Sequence, residues 1–506
     1  METKRIHIIF LIALLFVMAN PLFVYAQFVV NPGSAITITQ GSSVYINSEV
    51  ILKSDATSSG YFVDQTVNGD YTITGNKTVE RYLTEDGWHN TSSPVSNEQS
   101  DVYVGTDLVF YYNETIILND WNFGWVMYQG LLNVMKGYDV FLPSGTITVE
   151  YQATAAQSLN TGAYNIGITR TNVANGEIES RKGWNLLGNP YPSPVDWLAE
   201  SGWNKSDIND AKYIWDPDND NYTIFLGGDF PIGINGGTQF IPSNQGFWVQ
   251  AIRNGNIHIN NRCRVGQIPA TPDFYKNSSF NYPVVSLEVS ANEYTDQYIV
   301  RFIEGSTDNF DLNLDAVKLY SRDPLVPQIC STSGKSTLAV NSLPAVTDEL
   351  EVDLQFRCAT PGYYTLSLHE LTNLDPSVSL YLKDEIDQNV INLSKCVTYG
   401  FSHEPNNMRS RFKILFNPSY DVINNITPES AFSAFANRNI ISIIKKTQNE
   451  VKGKIIVYNM YGQQELIRPL SNDIRTDFYV DLTTGYYIVS ILSDKVVSNF
   501  KIRISN

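Results

Sequence analysis

Histidine is scarce in this chain of 506 residues. There are five, and His89, His258, His369 and His403 stand far apart in unrelated surroundings. Neither a Gly-x-Ser-x-Gly elbow nor a His-Glu-x-x-His pair occurs, so the local signatures of serine and zinc hydrolysis are missing. Gly334-Lys335-Ser336-Thr337 looks like the end of a phosphate loop, but Ile329 stands where the partner glycine belongs and no helix pattern follows. Basic residues are also short: 35 Lys and Arg face 52 Asp and Glu, for a net charge of −17. Residues 436–506 hold ten basic and six acidic side chains and residues 1–26 carry a net +1, which leaves −22 for residues 27–435. A body so acidic repels phosphate backbones, and nucleic acid is not expected as a partner. Cysteine is limited to Cys263, Cys330, Cys358 and Cys396, no two at zinc-ligand spacing. They read either as bridges, in a connectivity the sequence does not choose, or as buried free thiols.

Long apolar runs are confined to residues 6–19, interrupted at His7, behind Lys4 and Arg5 and ahead of the small residue Ala26. That order reads as a signal peptide over residues 1–26, and hence as export through the periplasm. Beyond it helical periodicity is almost absent. Short β-branched and aromatic runs recur instead, broken by Gly, Asn, Asp and Pro, which is the pattern of an all-β chain. Alternation of Ile36 and Ile38 with Thr37 and Thr39 gives the segment 27–77 one buried face and suggests a β-rich cap. All eight tryptophans fall between Trp88 and Trp248. This places a Trp-rich β-sandwich over 78–265. A second sandwich, jelly-roll or immunoglobulin-like, follows over 282–417, with strands expected near 284–289, 297–302, 316–320, 350–356, 363–368, 378–382 and 411–416. A linker over 418–435 precedes a small C-terminal sandwich over 436–506, where Phe500, Ile502 and Ile504 alternate with Asn499, Lys501 and Arg503.

The C-terminal run Gly453-Lys-Ile-Ile-Val-Tyr458-Asn459-Met-Tyr-Gly462-Gln463, then Leu482, Gly485, Tyr487 and Lys501, resembles the sorting domain of the bacterial type IX secretion system. The resemblance implies a β-sandwich that docks on the secretion machinery. It also implies delivery to the outer surface or the medium, with attachment to surface lipopolysaccharide as one route of anchoring. The usual Tyr-Pro-Asn-Pro opening is replaced by Ser433-Ala434-Phe435-Ala436-Asn437. Phrases between residues 78 and 417 resemble the body of large surface proteins from bacteria with that system. They are Thr78 to Tyr82, Ser93-Pro94-Val95, Lys136-Gly137-Tyr138, Leu159 to Gly162, Gly183 to Ser193, Trp215-Asp216 and Gln245 to Val249. That family has no defined activity to transfer. Pro190 and Pro192 lack ladder donors and end the strand that begins at Trp184, so the Gly183 phrase reads as a structural corner.

Two features could hold a ligand. Asp216, Asp218 and Asp220 alternate as carboxylates do at the start of calcium loops, although the glycine and the distal glutamate of such loops are absent. The plainer reading is an Asp/Asn-rich turn. Trp121 and Trp125 lie in a loop-like context and could stack on sugar faces, whereas the other tryptophans suit a core. The expectation is therefore an exported structural or adhesive protein without catalysis and without a required cofactor. A glycan-binding module is the alternative, and a glycan-active hydrolase the more distant one.

Overall fold

A computed structural model describes residues 27–504, apart from 68, 85, 117–123, 144, 146, 172–178, 269–281, 292, 395–396, 406–409, 418–431, 446–450 and 494–496. The signal-peptide residues, Trp121 and Cys396 thus lie outside the described residues. The described chain is all-β, its remaining elements being short 3₁₀ turns.

The N-terminal segment winds as a three-sided coil. Gln27–Val30, Glu49–Leu52 and Lys77–Leu83 stack in parallel along one side. Ala35–Ile38 lies on Tyr61–Asp64 along the second side, and Val44–Ile46 on Tyr71–Ile73 along the third. Each coil sends one side chain per pleat inward, among them Val30, Ile38, Ile46, Leu52, Phe62 and Ile73. Neighbouring coils approach closely at Gly60, where a Cβ would stand 2.3 Å from the Val30 carbonyl oxygen. The coil does not end at residue 77. Lys77–Leu83 turns its free edge to Ile147–Ala153 in antiparallel register, which fuses the coil to the next region.

The Trp-rich region is built on five antiparallel strands, in the order Trp184–Gly188, Gly246–Ala251, Ile208–Asp216, Asn221–Leu226 and Ile232–Ile234. One face carries Leu187, Phe225, Phe247 and Val249 onto Trp197, Ile257 and Ile259. The other face carries Trp184, Tyr213, Trp215 and Trp248. It packs on Ile299, Ala316, Val317 and Val340 of the region that follows, so one core runs across both.

In that following region the strands Val284–Ala291, Tyr294–Phe302, Leu350–Arg357, Gly362–Thr372, Leu380–Asp384 and Ser410–Phe416 fall where the alternation put them. Gln328–Ser333, Ser336–Leu343, Asn389–Asn392 and Thr398–His403 were not anticipated, since their serine, threonine and asparagine content masks the pattern. The sheet curls around Leu287, Val300, Leu354, Phe356, Phe401 and Phe412. The phosphate-loop look-alike is the turn of the Gln328–Ser333/Ser336–Leu343 hairpin.

Charge locks the seam between the Trp-rich sheet and this region. Asp296 and Lys318 form an ion pair at 2.6 Å with neither side chain exposed. Asp296 also accepts from Asn221 Nδ2 (3.1 Å), Asn235 Nδ2 (3.0 Å) and the Ile329 amide (2.7 Å). Nearby, Arg322 meets Asp139 at 2.8 Å and lies among Trp88, Trp125 and Trp215, 4.9 Å from the Trp215 ring. Burial pulls this guanidinium's pKa down, but Asp139 and the Tyr222 phenol together more than offset it and hold it above the ordinary arginine value.

The bridge reading of the cysteines does not hold for the described residues: Cys263, Cys330 and Cys358 are free and buried. Cys330 lies 3.4 Å from Tyr320 Oη, and Cys358 3.1 Å from Tyr364 Oη.

The C-terminal residues form a sandwich of a three-stranded sheet (Phe432–Asn437, Ile440–Lys445, Arg475–Tyr479) and a four-stranded one (Gln464–Pro469, Gly453–Asn459, Gly485–Ser493, Val497–Ile504). Its first strand begins at Phe432, inside the stretch read as linker, because that side chain is fully buried in the sandwich core. Ile502 and Ile504 are buried while Asn499, Lys501 and Arg503 are exposed, as the pleat requires.

Candidate binding cleft

The residues singled out at the C-terminus hold a hairpin in shape. Gly453 pairs with Ser493, and a Cβ there would stand 2.1 Å from the Leu492 carbonyl oxygen. Asn459 closes the turn. Its Oδ1 accepts the amides of Tyr461 and Gln463, each at 3.0 Å, and its Nδ2 donates to Gln463 Oε1 (2.9 Å) and Glu465 Oε1 (2.7 Å). Gly462 supplies the left-handed conformation at φ +80° that the turn needs. Tyr458 is half-buried, and Leu482 packs against the sandwich core. Tyr487 is buried and donates to the Thr483 carbonyl at 2.9 Å, just before Gly485. Lys501 lies over the Tyr486 ring at 4.5 Å. The turn lifts Tyr461 to 91% exposure, so the hairpin ends in an open aromatic ring.

Asp216, Asp218 and Asp220 take the Asp/Asn-rich turn of the plainer reading. Asp216 and Asn221 pair at the ends of two strands, and residues 217–220 connect them. Asp216 accepts the Asp218 amide at 3.1 Å and Asn219 Nδ2 at 2.7 Å, and Asp220 takes the left-handed conformation at φ +46°. Among the described residues no three of His, Cys, Asp and Glu converge as a metal site. Trp125 is half-buried with its ring edge-on to Tyr112 (5.4 Å) and Trp248 (5.5 Å). It belongs to an aromatic cluster rather than to a flat platform.

A different place has the geometry of a binding site. A cleft of about 670 Å³ opens between the N-terminal coil and the Trp-rich sheet, within the size range of small-ligand sites. One wall is the loop of residues 54–59 with Arg81 and Tyr82, and the other is Trp215, Asp216, Asn244 and Gln245. The loop is held rigid. Asp55 Oδ1 accepts Thr57 N, Thr57 Oγ1 and Ser58 N at 2.7–3.0 Å, and Ser54 Oγ accepts the Tyr82 amide at 3.0 Å. Those bonds, the Thr57 hydroxyl first, keep the exposed Asp55 carboxyl below the usual carboxylate range.

Arg81 is the cation of this cleft, and its surroundings leave it unmatched. Its Nη2 donates to Gln245 Oε1 at 3.3 Å. Gln245 in turn donates its amide to the Asn90 carbonyl (2.8 Å) and the Gly246 carbonyl (3.1 Å), so its oxygen is pinned toward Arg81. Among the described residues no carboxylate pairs with Arg81, and its neighbours in charge are the phenols of Tyr61 and Tyr151. Burial pulls its pKa below the usual arginine value. Its Nε is buried without a partner in the protein, as are Asn244 Nδ2 and Trp215 Nε1, two further residues lining the same cleft. All three are donors. Buried donors left unpaired cost roughly 1–3 kcal/mol each.

His89 lies alongside. Its Nε2 faces the Thr84 carbonyl at 2.9 Å. Burial, then the charges of Arg81 and Arg322 beyond it, push its pKa down to about 4 against the lift from Thr84, so it is neutral at pH 7.

Sequence reasoning missed the cleft, yet a signal was there. Arg81, Tyr82, Trp215, Asp216 and Gln245 all come from the phrases that carry the resemblance of the body. Some of those phrases bridge one another, Val95 to Leu159 and Lys136 to Leu187, and Gln245 bridges to Thr91. The Gly183 phrase forms the corner expected of it: Asn189 is buried, donates to the Ser193, Ile241 and Pro242 carbonyls and accepts from the Tyr191 amide.

A family profile described as a domain of unknown function (DUF8693) matches residues 17–416, and the chain belongs to that family. The match ends with the last residue of the strand Ser410–Phe416, so the C-terminal sandwich lies outside it. No curated protein matches the chain.

Proposed function

We propose that this member of the family is an exported structural or adhesive protein of the cell surface, delivered by type IX secretion and without catalysis. The observation that carries the reading is the C-terminal sandwich, a separate fold outside the family match. Of its resemblance-bearing residues, Gly453, Tyr458, Asn459, Gly462 and Gln463 lie in the hairpin that exposes Tyr461. In this reading the sandwich docks on the secretion machinery, and the body is released or attached to surface lipopolysaccharide. The N-terminal order of Lys4, Arg5, the apolar run and Ala26 supports entry to the periplasm. Deleting residues 432–506 is expected to leave the protein in the periplasm, assayed by fractionation and by protease shaving of intact cells. Arrival of the truncated chain at the surface would refute the sorting role.

A second reading, a glycan-binding module, is favoured by the cleft. Its walls offer hydroxyls and amides from Ser54, Thr57, Thr84, Thr223, Asn244 and Gln245 around the aromatic residues Tyr82 and Trp215. A rigid body that displays such a cleft suits adhesion to saccharides.

A further inference from the structure

We propose that the cleft between the N-terminal coil and the Trp-rich sheet binds a saccharide bearing a single carboxylate, with Arg81 as its counter-ion. The inference rests on the glycan-binding reading and adds what that reading leaves open, the charge of the ligand.

Arg81 is a cation without a carboxylate beside it among the described residues. A guanidinium taken from water needs an anion, and in folded proteins such groups are paired or coordinate a ligand. Arg322, inserted among tryptophans of the same region, has Asp139 at 2.8 Å. Arg81 has a neutral amide. Asn244 and Trp215, which also line the cleft, carry buried unpaired donors of their own, Nδ2 and Nε1. A guanidinium that lines a cleft with no carboxylate beside it among the described residues calls for an oxyanion from the ligand. The planar fork of arginine matches a carboxylate through two parallel bonds. The positions are pre-set. Gln245 is pinned by two carbonyls, and Asn244, 2% exposed, takes the left-handed conformation at φ +61°.

The rest of the ligand follows from the lining. The walls carry more hydroxyl and amide groups than apolar side chains. That suits a polyhydroxylated ring better than a peptide, which would ask for apolar side-chain pockets or a strand edge. Tyr82 and Trp215 supply aromatic surface between the polar groups. The charge count is limited by the rim, where Asp55, Asp216 and Asp218 also line the cleft. One carboxylate can reach Arg81 past them, while a densely sulfated chain meets like charge on both sides.

The test uses the full mature chain in a titration against three probe sets. The first is a panel of short oligosaccharides bearing one uronate or one sialic acid. The second is the same panel with the carboxylate methyl-esterified, and the third an acidic peptide and heparin. The expected result is binding of at least one acid form, at least about tenfold weaker for its ester, and weak or absent binding of the third set. Arg81→Met should lower affinity for the acid by at least about tenfold and level acid and ester, without lowering the midpoint of thermal unfolding. Asn244→Asp keeps an Asx side chain where φ is positive and sets a like charge beside the site, so it should weaken the acid form selectively. Arg253→Gln, at an exposed pair with Asp207, should change nothing. Equal binding of acid and ester, indifferent to Arg81→Met, would overturn the carboxylate while leaving a glycan module. No binding across either saccharide panel would overturn both. Arg81-dependent binding of the acidic peptide alone would overturn the saccharide class.

Discussion

Arg81 and Arg322 reach the Trp-rich region from different parts of the chain, one from the N-terminal coil and one from the region after residue 282. The seam that holds Arg322 has matched its charge: Asp139 lies at 2.8 Å, Asn90 Nδ2 fixes the other carboxylate oxygen at 2.7 Å, and three indole rings surround the guanidinium. The cleft that holds Arg81 offers one amide oxygen at 3.3 Å and, among the described residues, no carboxylate. Two arginines in one aromatic region thus serve different ends. A matched buried charge fixes how two regions meet. An unmatched one lining an open cleft carries a cost within the folded protein that a ligand can remove.

The sharpest break of this comparison is to replace each arginine by methionine and measure unfolding in denaturant. Arg322→Met strands Asp139 without its cation, and removing one partner of a buried pair costs about 3–5 kcal/mol. Arg81→Met removes a charge that has no carboxylate partner among the described residues and keeps much of the apolar stem. It should change stability by less than about 1 kcal/mol, in the stabilising direction. If the two variants lose stability alike, Arg81 is a structural residue and the contrast collapses.

The seam and the cleft were not equally legible in the sequence. The C-terminal alternation at Ile502 and Ile504, the strands near 284–302 and the stop at Pro190 were readable because each depends on neighbours within ten residues. Parallel coiling was not. Its register joins Gln27 to Glu49 but Val44 to Tyr71, an uneven step of 22 to 27 residues with no repeated side chain to mark it. The cleft depends on that coiling, which sets Arg81 opposite residues more than 130 positions away. Local reading instead weighted Asp216, Asp218 and Asp220, where spacing imitates a metal loop but the strands on either side force a turn. It weighted Trp125 as loop-like, since nothing local says that Tyr112 and Trp248 close over it.

His89 reports on both sites, because the charges of Arg81 and Arg322 both reach it. Its folded pKa is about 4 and its unfolded value near 6.5. Between those values the unfolded chain binds the extra proton and the folded chain does not, so stability rises with pH across the window. The contribution is fully present above pH 6.5 and is lost as pH falls through about 4, at most about 3 kcal/mol in all. Arg81→Met removes one of the lowering charges, so the His89 pKa should climb and the acid-side loss should shrink. An imidazole titration followed by NMR reads this directly. A His89 pKa unmoved by Arg81→Met would place that charge outside its reach and break the link between cleft and seam.

The smallest effect belongs to the turn that imitates a metal site. Asp216→Ala removes the acceptor for Asp218 N and Asn219 Nδ2 in a partly exposed turn, which should cost about 0.5–1 kcal/mol. Calcium should leave the unfolding midpoint where it was. A real site with calcium at 100 times its dissociation constant would add about 2.7 kcal/mol, well above the turn's own worth. A calcium-dependent rise that Asp216→Ala abolished would mean that the three carboxylates converge after all. The cleft would then gain a cation at its rim, and with it room for more than one carboxylate, because Asp216 and Asp218 line the same cleft as Arg81.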